Sequence, residues 1–145
     1  MGYSTESRQV SHATTYTTAD DIAATGDSAV IWDILTPITV KRIGALVTVA
    51  PGAAAAIVDF DRRILTGSDA GRVSKLDGTN GRITIPGTTA AGKIVYKDVS
   101  VDLNPGDQIV PEVVDAATTG DARYYYEYIQ RHEVAGNLTD MVESA

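Results

Sequence analysis

Between Lys93 and Glu112, Val99, Val101 and Leu103 alternate with Asp98, Ser100 and Asp102. A period of two predicts a strand with one dry face and one wet face. The run stops at Asn104-Pro105-Gly106-Asp107. Pro105 presets φ for the second position of a turn, and Gly106 tolerates the positive φ that a type II turn needs at the third. Gln108 to Val110 restarts an extended run, so a hairpin is expected here. A strand with one apolar face requires a second layer to cover it.

The same pattern recurs along the chain. Residues 28–35 predict a strand with Val30, Trp32 and Ile34 on one face and Ile31, Asp33 and Leu35 on the other. Residues 38–50 predict a longer strand whose apolar positions change parity, from Ile38 and Val40 to Ile43, Ala45, Val47 and Val49. A switch at Lys41-Arg42 is what a β-bulge produces. Pro51-Gly52 turns the chain into a strand over 56–65, with Val58, Phe60 and Ile64 set against Asp59, Asp61 and Arg63. Short strands over 72–76 and 82–86 flank Asp77-Gly78-Thr79-Asn80-Gly81, which reads as a hairpin connection. The last strand, 122–132, sets Tyr124, Tyr126 and Tyr128 against Arg123, Tyr125, Glu127, Ile129 and Arg131.

About eight strands, closely spaced turn signals and almost no helix predict an all-β sandwich, and eight strands in a double sheet make a jelly roll. The expected organisation is a flexible N-terminal arm over 1–27, a jelly-roll β-sandwich over 28–133 and a polar tail over 134–145. The arm is rich in Ser, Thr and Ala and lacks the large apolar groups that would fold it alone. No repeat of 20 to 50 residues is present, which excludes propellers and solenoids.

Composition narrows the chemistry. A chain of 145 residues suits one domain. It contains no cysteine, which removes thiolate metal sites, redox chemistry and cysteine nucleophiles. A net charge of -7 disfavours nucleic acid as a partner, since that binding relies on clustered Lys and Arg. No apolar run approaches the roughly 20 residues of a spanning helix, and the N-terminal residues do not read as a signal peptide, so no membrane association is expected.

Each candidate for chemistry has a plainer reading. His132-Glu133 lacks the second histidine of a metalloprotease helix. His12 has no evident partner. Gly67-Ser68-Asp69-Ala70-Gly71 puts Asp69 where a nucleophile elbow needs its nucleophile. The Asp77 to Asn80 turn offers oxygens to a cation but lacks the spaced carboxylates of a calcium loop. Asp59 and Asp61 share a face with Arg63 and read as a solvated charge stripe. The sequon Asn137-Leu138-Thr139 reads as coincidental. No catalytic residue, metal or cofactor is expected.

The tyrosine strand stands out. With three tyrosines already on one face, Tyr125 and Ile129 remain on the other. They are covered by a loop, held in a subunit contact or available to stack on a sugar; aromatic residues among charges suit the subunit contact. In the arm, Tyr3, Arg8, Val10 and Tyr16 are candidate anchors for a partner surface.

A broader resemblance rests on Ala29-Val30-Ile31-Trp32-Asp33, on Gly44-Ala45-Leu46-Val47 leading to Pro51-Gly52, and on Val58-Asp59-Phe60-Asp61-Arg62-Arg63. It continues through Val101-Asp102-Leu103-Asn104-Pro105-Gly106-Asp107 and Arg123-Tyr124-Tyr125-Tyr126-Glu127-Tyr128. Together with the Thr/Ala-rich arm, this layout resembles the small jelly-roll decoration (cement) proteins of tailed-bacteriophage heads, over roughly 28–133. The resemblance implies a homotrimer, made in the host cytoplasm, that sits on the outer capsid surface, binds the major capsid protein and braces the shell without catalysis. The alternative is a carbohydrate-binding or receptor-binding β-sandwich of a tail or fibre. Against it, the loops 67–71 and 87–92 carry no aromatic residue.

Overall fold

The structure, a computed structural model, describes residues 12–64, 73–76 and 81–131. The described residues form no helix. Their eleven strands are β1 (His12–Tyr16), β2 (Asp20–Asp21), β3 (Gly26–Asp27), β4 (Trp32–Asp33), β5 (Ile38–Val49), β6 (Ala56–Ile64), β7 (Val73–Lys75), β8 (Arg82–Ile85), β9 (Ile94–Leu103), β10 (Asp107–Asp115) and β11 (Asp121–Gln130). They make two antiparallel sheets that share one core, a β-sandwich. The first sheet runs β1-β11-β5-β9, with β2 also on β11. The second runs β3-β10-β6-β7, with β4 also on β10 and β8 also on β6. Three of these positions are each filled by two collinear short strands.

The parity switch in β5 is a bulge. Pairing with β11 passes from Glu127↔Arg42 directly to Tyr128↔Val40, so β5 carries one extra residue there. The shift lets Ile38 and Val40 point into the core together with Ile43, Ala45 and Val47, all five buried. Without it, a period of two would put one of these sets in water.

Two expected hairpins are corrected. β9 and β10 lie in different sheets, so the turn between them carries the chain across the sandwich. Its local geometry is as the residues dictate: Asp107 N–H donates to the Asn104 carbonyl at 3.1 Å, and Gly106 has φ of 97°. β7 and β8 do not pair either. They follow one another along one edge of β6, at Asp61–Arg63 and Ala56–Asp59.

The expected arm is corrected over 12–27, where β1 and β2 pair with β11 and β3 pairs with β10. Thr17 locks this crossover: its backbone N–H donates to the Tyr124 carbonyl, and its Oγ1 accepts from the Tyr124 N–H, at 2.8 and 2.9 Å. Pro111, in the middle of β10, is tolerated because its carbonyl faces the gap between β3 and β4, where it accepts from Ser28 N–H at 2.7 Å. The nitrogen of a strand residue points to the same side as its carbonyl, so no bond to β6 is lost.

The core is closed by aromatic contacts between the sheets. Trp32 meets Tyr126 edge-on at 4.8 Å between centroids, and Phe60 meets Tyr124 edge-on at 6.0 Å. Such pairs contribute roughly 0.5–1.5 kcal/mol each beyond burial.

Candidate functional site

The core faces are filled, so the chemistry lies on the outer faces. On the second sheet, register places Asp27, Glu112, Asp59 and Arg82 in one row across β3, β10, β6 and β8. Asp61 follows two residues along β6. The expected solvated stripe is corrected: Asp59 and Asp61 are only 5% and 6% exposed. Asp59 is held by two bonds from Arg82, from Nε at 2.5 Å and from Nη2 at 3.0 Å. Arg63 Nη2 pairs with Asp27 Oδ2 at 2.5 Å.

Two arginines therefore face four carboxylates. Asp27, Asp61 and Glu112 each bring one oxygen to within 4.8 Å of the others. Burial, and after it the charge of Glu112, push the Asp61 carboxyl up to about 6, while Arg63 pulls the other way. Asp61 thus takes up a proton well above the usual carboxylate range. A cation would meet the same oxygens, but Arg63 already neutralises Asp27.

On the first sheet, β11 sends Tyr124 and Tyr126 into the core and leaves Tyr125 on the outer face. Tyr125 is nonetheless only 4% exposed. It pairs with Gly44 of β5, which in turn pairs with Tyr96 of β9. A Cβ at Gly44 would lie 2.5 Å from Tyr125 Cε1, so the ring occupies the space the missing side chain leaves. Tyr125, expected as a subunit-interface anchor, is thus largely covered within one chain. Ile129 is half-buried beside Thr39.

The apolar groups this face does present are Ile94 and Tyr96, 50% and 53% exposed on β9. Beside them, Arg42 packs its guanidinium over the Tyr96 ring at 3.9 Å and bonds Asp98 at 2.7 Å, with Glu127 at 3.5 Å. Sequence reading placed Tyr96 in a strand but did not single it out, because the outward turn of β9 depends on its pairing with β5. Glu112 and Asp27 were missed for the same reason: 85 residues separate them in the chain, and only register unites them.

The remaining candidates are scattered. Tyr16 ends β1 and pairs with Tyr125, and His12 begins β1 opposite Ile129. Tyr3, Arg8, Val10, Asp77 to Asn80, residues 67–71, His132-Glu133, Asn137 and the tail over 134–145 lie outside the described residues. No protein-family profile matches the chain, and no curated protein matches it.

Proposed function

We propose that this chain is a non-enzymatic jelly-roll protein that decorates and braces the outer surface of a tailed-bacteriophage head. The strand order supports the jelly roll. Counting each collinear pair as one position, the chain alternates between sheets at every step except from β6 to the β7–β8 pair. Two Greek keys wound together give that connectivity.

The observation that carries the functional reading is the outer face of the first sheet. Ile94 and Tyr96 stand half exposed beside the Asp98–Arg42–Glu127 charge group. An apolar centre with a polar rim is the anatomy of a protein contact. The proposed partners are the major capsid protein and two further copies of the chain. Many copies on one lattice make a modest affinity per site sufficient. A sugar-binding role finds less support, because Arg42 already covers one side of the exposed Tyr96 ring.

Two measurements test the proposal. Mass spectrometry of purified phage particles from the genome encoding this chain is expected to find it in many copies per head. Its absence from the particles refutes the decoration role. Sedimentation equilibrium is expected to give a trimer that Tyr96→Ser weakens; a monomeric parent protein refutes the trimer, and an unchanged variant removes Tyr96 from its interface.

A further inference from the structure

We infer that the cleft beneath residues 20–29 receives a guanidinium group, presented by an arginine side chain of a partner protein. This segment crosses from β11 to β10 over one side of the sandwich. The cleft it roofs has a volume of about 220 Å³ and is lined by Asp20, Asp21, Asp27, Ser28, Val113 and Tyr124, among others. Its lining includes three carboxylates, of which Asp27 is already paired with Arg63, and no Lys or Arg of the described residues.

Tyr124 supplies the independent observation. The residue is 1% exposed, and its hydroxyl has no hydrogen-bond partner among the described residues. A hydroxyl buried without a partner forfeits its bonds to water and gains none in return. Burial raises its pKa well above the ordinary value of 10, and the charges of Asp20 and Asp21 add to the effect. The group therefore stays neutral, under the field of both carboxylates, and can accept an N–H bond.

The geometry selects among cations. One oxygen of Asp20 already accepts from Ser28 Oγ, and Asp21 Oδ1 accepts from Ala23 N–H at 2.7 Å. The second oxygen of each carboxylate has no partner among the described residues. Among the described residues, the acid group whose oxygens converge within 4.8 Å takes in Asp27 but neither Asp20 nor Asp21. A calcium or magnesium ion gathers six or more oxygens, waters among them, around one point. A guanidinium instead spreads five N–H donors over a plane and reaches acceptors that stand apart. An ammonium is a compact point charge and suits a converged site better.

The test is an amide chemical-shift titration of the full-length protein with N-acetyl-L-arginine N-methylamide. Parallel arms use free arginine, N-acetyl-L-lysine N-methylamide and calcium chloride. Saturable shifts confined to residues 20–29, 113 and 124, strongest for the capped arginine, are the expected result. Tyr124→Phe is expected to weaken binding about tenfold, the loss of one bond to a charged group, while its thermal midpoint stays level or rises as the orphan hydroxyl goes. Asp21→Asn keeps the Oδ1 cap on Ala23 and is expected to weaken binding by a similar factor. Absence of shifts in the cleft, stronger binding of calcium or lysine, binding of free arginine alone, or unchanged affinity in both variants would each overturn the inference.

Discussion

Gly44→Ala is the sharpest perturbation of the outer face of the first sheet. An added Cβ would lie 2.5, 2.6 and 2.7 Å from Tyr125 Cε1, Cζ and Oη. The contacted atoms are the far end of one side chain, so the ring swings off the sheet while the backbone holds. A tyrosine buries about 200 Å², and losing half of that at about 25 cal/mol per Å² costs roughly 2.5 kcal/mol. Alanine recovers about 0.5–1 kcal/mol, because glycine loses more backbone freedom on folding. The net expectation is a loss of about 2 kcal/mol. Urea unfolding at one fixed protein concentration measures it, since an oligomer's stability depends on concentration. The decisive comparison is Gly44→Ala in a Tyr125→Ser background. With the ring gone, the three closest contacts of the added methyl are gone, and the substitution is expected to be neutral or slightly stabilising. The resulting coupling of about 2 kcal/mol is typical of residues in contact. An equal cost in both backgrounds refutes the account of Tyr125 resting on Gly44.

Three further outcomes follow from the second sheet and the bulge. Asp61→Asn is expected to stabilise the protein at pH 7.5 by up to roughly 3 kcal/mol, since each tenfold between about 6 and 3.8 is worth about 1.4 kcal/mol. The folded pKa is raised, so this carboxyl's contribution is most favourable below about pH 4 and is lost as pH rises through about 6; a thermal-shift series in which the variant's advantage does not shrink on acidification refutes this. Arg82→Ala leaves the buried Asp59 facing Asp61 and Glu112 without its two bonds, and denaturant unfolding is expected to register a loss of about 2 kcal/mol; a loss below about 0.5 kcal/mol shows that water replaces the arginine. Deleting Lys41 makes Glu127↔Arg42 and Tyr128↔Val40 consecutive pairs, so Ile38 and Val40 keep their core face; the expected loss is well below the roughly 3 kcal/mol that turning two apolar side chains to water would cost, and a loss of that size in circular dichroism melting would refute the assignment of Lys41 as the extra residue.

The sequence by itself determined what depends on neighbours along the chain. Alternation marked the strands and their dry faces: Val99, Val101 and Leu103 are buried where the period of two puts them, and Tyr124 and Tyr126 are core residues. The parity fault at Lys41-Arg42 located the bulge, because one extra residue leaves a trace in a period-two pattern. The Asn104–Asp107 turn was legible from Pro105 and Gly106. Which strands lie side by side was not, since a turn that reverses the chain does so equally well within a sheet or between two. Hence β9 and β10 read as a hairpin but belong to opposite sheets, and β1 to β3 read as an arm although they complete two strand positions. The outer faces were the least legible. Asp59 and Asp61 look solvated along β6 and become buried only when β3, β8 and β10 bring Asp27, Arg82 and Glu112 alongside. Tyr125 looks like an exposed anchor until the register sets it against a glycine. Burial of a polar or aromatic group on a sheet surface is decided by residues on neighbouring strands, and long-range pairing alone selects them.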